Sequence, residues 1–363
     1  VELISNDAPL LVFVGAGGVG KTTLAAATAL RAAREGKRTL VMTFDPSLRL
    51  KDALGVGEEA RDREVPVDLS GLAAIESGGS LHASLLDARR TFDRLIARYA
   101  PDQASRDRIL GNTFYGQLSG SLGGILEYMA VERLFEAARD GRYDQVILDT
   151  PPTRQALDFL EAPARIVGFL DSGALKVALK PWFDEKGRLK PAARWGGLGR
   201  RFEGFLDDVV GLDLLRDMAE FFQVFAPLFA GFRERASEVE ELLRSARTRF
   251  VLVAGPGEEA IPDALFFARR LGQAGLHLGA LVVNRVHPVL PPTFPLPAPG
   301  DPLDGRRLLA WLGERDHQGL ARLAELAGPR QPLLSVPLSA DEPTDLPALA
   351  ALGDFLAKGL ASR

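Results

Sequence analysis

Cysteine is absent from all 363 residues, which excludes disulfides, thiolate metal sites and cysteine nucleophiles together. Histidine is scarce. His82, His277, His287 and His317 stand apart, none at metal-ligand spacing to another, so zinc and iron find no ligand set. Neither sign of charge dominates: Lys and Arg number 44 against 48 Asp and Glu, a net charge of −4. Nothing in that balance recommends nucleic acid as the main partner. No apolar run approaches the ~18 residues of a membrane span. The stretch Val1 to Asp7 has neither a basic nor an apolar leader region, so the expected location is cytoplasmic, with no transmembrane segment.

What is present is a chain with 46% apolar residues, long enough for an α/β sheet carrying a helical insertion. Its most informative stretch runs from Val12 to Thr23. An apolar strand, Leu10 to Val14, leads into Gly15-Ala16-Gly17-Gly18-Val19-Gly20-Lys21-Thr22-Thr23 and then into a helical pattern from Lys21 to Arg34. Gly15, Gly20, Lys21 and Thr22 satisfy G-x-x-x-x-G-K-[ST], the phosphate-binding loop. Glycines at 15, 17, 18 and 20 let backbone N–H groups, Val19 included, wrap around an oligophosphate, and the helix start adds its positive dipole end. Lys21 supplies a charge for the β and γ phosphates, and the Thr22 hydroxyl is placed for Mg²⁺. Gly15, Gly17 and Gly20 also spell the dinucleotide fingerprint G-x-G-x-x-G, with Asp45 after the next strand, which keeps an NAD-dependent oxidoreductase as an alternative. Lys21-Thr22 favours a triphosphate with Mg²⁺, because a dinucleotide turn has no use for either residue.

Further along, Arg38 to Phe44 reads as a second strand delivering Asp45-Pro46-Ser47 to the sheet edge where ligands bind. A carboxylate there orients water towards a γ phosphate; the competing reading is a cap or turn aspartate. Leu72 to Glu76 reads as a short third strand, and helical pattern dominates from Leu81 to Arg139, with breaks at Gly111-Asn112-Thr113 and between Gly116 and Gly124. Arg142 to Asp149 is a strand ending in an acid, followed by Thr150-Pro151-Pro152-Thr153. Asp149 is suited to hold Mg²⁺ through water or to accept a hydrogen bond from Thr22.

The predicted organisation is a P-loop ATPase core over 1–161, an inserted all-helical subdomain over 162–247 and the rest of the core over 248–363. Within the insertion, Leu214, Met218, Phe221, Phe225, Leu228 and Phe232 recur at helical spacing. They serve either as subdomain core or as a groove for a hydrophobic client or partner. The α/β pattern then returns with strand Arg249 to Ala254, helix Ile261 to Gln273, strand Leu278 to Val283 ending at Asn284-Arg285, a proline-laden loop from Pro288 to Pro302, helix Gly305 to Leu326, strand Pro332 to Pro337 and helix Thr344 to Leu360. A polar side chain at Asn284 is positioned to read an adenine. The last helix is expected to pack on the sheet rather than lie on a membrane.

With these strand ends in place, the chain resembles the arsenite-pump ATPase (ArsA) family, which includes the ATPases that deliver tail-anchored membrane proteins. The matching pieces are Gly15 to Thr23, Asp45-Pro46-Ser47 with Leu50, Asp52 and Leu54-Gly55, Asp149 to Thr153, Val282-Val283-Asn284 and Val336-Pro337-Leu338. The resemblance implies a P-loop α/β fold, ATP/ADP and Mg²⁺ as ligands, and a nucleotide-gated homodimer or a heterodimer with a paralogue. It also implies Lys21, Asp45 and Asp149 as catalytic residues, Asn284 and Pro337 at the adenine, and a helical client-binding region.

Three departures stand out. Ala16 replaces the family's second P-loop lysine, which reaches across the dimer to the partner's phosphates. The lack of cysteine removes the family's arsenite thiols and bridging zinc pair and argues against arsenite export. Arg154-Gln155 follows the second switch where many relatives have glycine and histidine, and this extra cation is a candidate to compensate for Ala16. A weakly active or inactive nucleotide-binding subunit of a hetero-oligomer is therefore the alternative. Asp45→Asn is expected to retain ATP binding by calorimetry and to lose phosphate release; ordinary turnover by this variant would falsify the role given to Asp45.

Overall fold

A strand buried on both faces reads as a continuous apolar run rather than an alternating one, and Leu10–Gly15 (β1), Gln145–Asp149 (β5) and Thr248–Ala254 (β6) are such runs. In the computed structural model they form the middle of an eight-stranded sheet of order β3-β4-β2-β5-β1-β6-β7-β8. Its other strands are Arg38–Thr43 (β2), Val65–Pro66 (β3), Ser80–Leu85 (β4), Leu278–Val286 (β7) and Leu333–Pro337 (β8). Every pairing is parallel except β3 with β4. The structure describes residues 9–43, 49–61, 63–72, 75–113, 115–116, 125–150, 168, 217, 221, 229–291, 305–328 and 331–361.

The helices described are Lys21–Arg34 (α1), Arg49–Leu54 (α2), Ala88–Tyr99 (α3), Gln103–Leu110 (α4), Ile125–Asp140 (α5), Phe229–Arg244 (α6), Ile261–Gln273 (α7), Gly305–Ala327 (α8) and Leu346–Ala361 (α9). Helix α1 carries a face of small residues, with Ala25, Ala26, Ala27, Ala29, Ala32 and Ala33 all buried. That face lets α9 come close: a Cβ on Gly353 would stand 2.6 Å from the Ala27 carbonyl oxygen. Arg31 and Arg34 fasten the contact by donating to Asp354 at 2.6 and 2.9 Å. The last helix thus packs on α1 and β8. No helix among the described residues is long and apolar enough to cross a membrane.

The third strand differs from expectation. Leu72, Ile75 and Glu76 are not strand, and the sheet instead takes Ser80–Leu85 from the start of the stretch read as helical. Leu81, Ala83 and Leu85 alternate into the core beneath α1, a period-2 signal too short to stand out beside the helical pattern that follows. From Glu76 to Gly79 the chain turns under the end of α1. Glu76 N–H donates to the Arg34 carbonyl at 2.9 Å, and a Cβ on Gly79 would lie 2.0 Å from the Ala33 oxygen. The short edge strand β3 was likewise not anticipated.

The chain divides into two compact units, Val1–Leu86 with Leu134–Asp158 and Glu241–Arg363, and Asp87–Arg133 with Phe159–Glu240. In the second unit Tyr115 donates to Asp93 at 2.5 Å and its ring stacks on Phe221. The buried pair Arg235 and Glu132 meets at 2.6 Å. Most of the expected 162–247 subdomain, with most of its aromatic stripe, lies outside the described residues, as does most of the loop after Pro288.

In the first unit, α8 fixes the end of β7. Asp316 is fully buried, accepts from the His287 backbone N–H at 3.1 Å and from Arg315 at 2.9 Å, and sits 2.6 Å from His287 Nδ1. An ionised carboxylate only accepts, so that ring nitrogen carries the proton. Burial pushes the Asp316 carboxyl up, but its bonds to His287 and Arg315 outweigh burial and hold it below the ordinary 3.8. A depressed carboxylate stabilises the fold above the unfolded value and loses that contribution as pH falls through the folded one. Asp316→Asn is expected to lower stability by about 2 kcal/mol at pH 7. In urea titrations the gap to wild type should close below the ordinary aspartate value of 3.8; a gap of constant size down to acid pH would be the contrary result.

Candidate nucleotide site

Parallel sheets bind ligands beyond the carboxyl ends of their strands, and there the loop after β1 crosses towards α1. Gly15 closes β1 at φ 148°, and a Cβ on it would meet the Val253 carbonyl oxygen of β6 at 2.1 Å. Only glycine lets the chain leave the sheet so close to its neighbour. At the far end Gly20 is the left-handed cap of α1, φ 92°, where a Cβ would stand 2.3 Å from Asn284 Nδ2. The first turn of α1 holds no acid and Gly20 offers no capping side chain, so the positive end of the dipole remains for an anion.

Lys21 is the first residue of that turn. Its stem is buried, and Nζ donates to the carbonyls of Gly15 at 3.1 Å and Ala16 at 2.8 Å. One turn position on, Thr22 Oγ1 donates to Asp149 Oδ2 at 2.6 Å. Asp149 is fully buried at the end of β5 and accepts from Thr43 Oγ1 of β2 at 2.8 Å as well. The register that pairs Thr43 and Phe13 with Asp149 brings these groups together. Thr150 then locks the direction of the exit, its N–H and Oγ1 both donating to the Phe13 carbonyl at 3.2 and 2.7 Å.

Opposite the loop, β7 runs past the expected end at Val283 and carries Asn284 and Arg285 within it. Asn284 Nδ2 donates to the Val19 carbonyl at 2.8 Å, and Arg285 Nη1 donates to the Gly18 carbonyl at 3.1 Å. Arg285 Nη2 lies 3.4 Å from Glu342 Oε1. A cavity of about 710 Å³ opens between these walls. Gly18, Gly20, Lys21, Thr22 and Thr23 line one side, Asn284 and Arg285 another, and Pro337 and the segment from Leu338 to Thr344 a third, with Asp52 and Thr150 also facing in. Its volume suits a nucleotide-sized ligand. Ala16 lines a smaller hollow of about 210 Å³ on the β6–α7 side, with Glu259 and Asp263 in its wall.

The sequence-predicted residues Gly15, Gly17, Gly18, Val19, Gly20, Lys21, Thr22, Thr23, Asp149, Asn284 and Pro337 thus gather at one sheet edge. Asp45 and Arg154 lie outside the described residues. Sequence reasoning missed Thr43, whose only signal is being the last polar residue of its strand, and the contacts of Arg285 with Gly18 and Glu342.

The sequence model of the anion-transporting ATPase family, ArsA, matches residues 9–189. An arsenical pump-driving ATPase of Escherichia coli is 27% identical over 334 residues, covering 90% of this chain and 46% of that protein. This chain therefore spans about half the length of that relative. The ATPase GET3 of Kluyveromyces lactis is 32% identical over 192 residues, 50% of this chain and 53% of its own. The Streptomyces coelicolor protein SCO2128 is 30% identical over 322 residues, 86% of this chain and 71% of its own. With a family model that matches from the first strand through residue 189, and with an arsenical pump-driving ATPase and GET3 among its relatives, the chain belongs to the ArsA family of anion-transporting ATPases.

Proposed function

We propose that this chain is a Mg²⁺-dependent ATPase that couples ATP binding and hydrolysis to the opening and closing of a dimer and to the binding of a hydrophobic protein client. The observation that carries the nucleotide part is the hydrogen bond of Thr22 to Asp149 beside an acid-free helix start that carries Lys21. Oxygen ligands suit Mg²⁺, a hard cation. Thr22 Oγ1 would hold the ion directly, and Asp149 would hold it through water. Bound there, the ion neutralises charge on the β and γ phosphates.

Lys21 exchanges the carbonyls of Gly15 and Ala16 for phosphate oxygens, pairing its ammonium with an opposite charge. Asp45 orients the attacking water, and Asn284 and Pro337 take the adenine side. The helical unit takes the client, a role supported by family membership and by GET3 among the relatives. A cysteine-free chain has no thiols for arsenite, so arsenite export is not the activity assigned.

One observation favours a second reading. Ala16 leaves the loop without the lysine that would serve a partner's phosphates, as suits a slow or inactive nucleotide-binding subunit working beside a paralogue. ATP turnover of the chain alone and mixed with a paralogue that keeps the lysine separates the two readings.

Lys21→Ala should weaken ATP binding by about 100-fold, near 2.7 kcal/mol. Thr22→Ala should leave binding in EDTA unchanged while abolishing the gain that Mg²⁺ gives wild type. Calorimetry with and without Mg²⁺ reads both; wild-type affinity in Lys21→Ala is incompatible with a phosphate site in this loop.

A further inference from the structure

The two residues at the end of β7 hold backbone carbonyls of the phosphate loop, and neighbouring ones. Asn284 takes Val19 O and Arg285 takes Gly18 O. In a trans peptide the C=O and the following N–H point in opposite directions. A donor that draws Gly18 O towards β7 therefore turns the Val19 N–H away from it, and one that draws Val19 O does the same for Gly20 N–H. From this we infer that Asn284 and Arg285 are positioning residues that orient successive peptide planes of the loop, aiming the Val19 and Gly20 N–H groups at the bound phosphates. The inference rests on the nucleotide reading of this cavity and deepens it: the adenine-side strand sets affinity for the phosphate chain itself, whatever the base.

Two further features support a dedicated device. Arg285 is the one described non-glycine residue with positive φ, at 64°, a conformation that costs an ordinary L-residue free energy and that glycine adopts freely. Strain of this kind persists where surrounding contacts hold it, and it clusters at functional sites. Here it turns the guanidinium back over the loop, where Gly18 O and Glu342 receive it. In addition, the space a Cβ at Gly20 would take is filled by Asn284 Nδ2, at 2.3 Å, so the glycine at the helix cap makes room for the donor.

The test compares binding of ATP, GTP and inorganic tripolyphosphate, each with Mg²⁺, to wild type, Asn284→Ala, Arg285→Gly and Arg285→Lys. Each of the first two variants should lose about tenfold in affinity for tripolyphosphate, the ligand without a base, as for a lost hydrogen bond, and Asn284→Ala should lose more on ATP, where its adenine contact goes as well. Arg285→Lys, which keeps a donor for Gly18 O, should recover most of that loss. Glycine suits the backbone at 285, so Arg285→Gly should melt no lower than wild type while binding more weakly, a combination that a merely structural role does not produce. Loss confined to ATP, with tripolyphosphate unchanged, would assign the pair to base recognition and overturn the inference; so would unchanged affinity for all three. A wild-type protein that binds none of the three removes the nucleotide reading and this proposal with it.

Discussion

The hydrogen bond from Thr22 to Asp149 joins the first turn of α1 to the end of β5, and most of the site depends on it. Helix α1 starts where it does because Gly20 caps it in a left-handed turn, and β5 ends where it does because Thr150 doubles back onto Phe13. Between these fixed ends the carboxylate and the hydroxyl meet at 2.6 Å. The same carboxylate reaches β2 through Thr43, so three elements converge on one buried side chain. A buried carboxylate is tolerated only with donors around it, and the Thr22 and Thr43 hydroxyls are such donors.

Close backbone approach is the second constraint. At Gly15 the chain leaves the sheet against a carbonyl of β6, and at Gly353 helix α9 lies against a carbonyl of α1. Both contacts exclude any side chain. The first gives the loop its shape. The second presses α9 onto the helix whose N-terminus faces the cavity, and β8, which leads into α9, ends at Pro337 on the cavity wall. Chain segments distant in sequence are thereby held to one edge of the sheet.

Family membership sets the expectation of an ATPase, and Ala16 sets its limit. The loop retains the lysine, hydroxyl and glycines that a phosphate chain needs, while position 16 carries only a methyl group.

The sequence alone determined the phosphate loop, the strands that precede and follow it, the last helix and the acid at the end of β5. Each is a local pattern: a glycine-rich turn between an apolar run and a helix, or a buried strand closed by a polar residue. It misplaced the third strand, because Leu72 to Glu76 and Ser80 to Leu85 are both short apolar stretches and only packing beneath α1 chooses between them. It placed Asn284 at the site without revealing that its amide holds Val19, and it gave Thr43 and Arg285 no role. Those assignments came from strand register and from side chains meeting across 265 and 267 positions of sequence. Tertiary structure alone decides such contacts, because the pairing of parallel strands is fixed by the whole sheet and leaves no period in the chain to read.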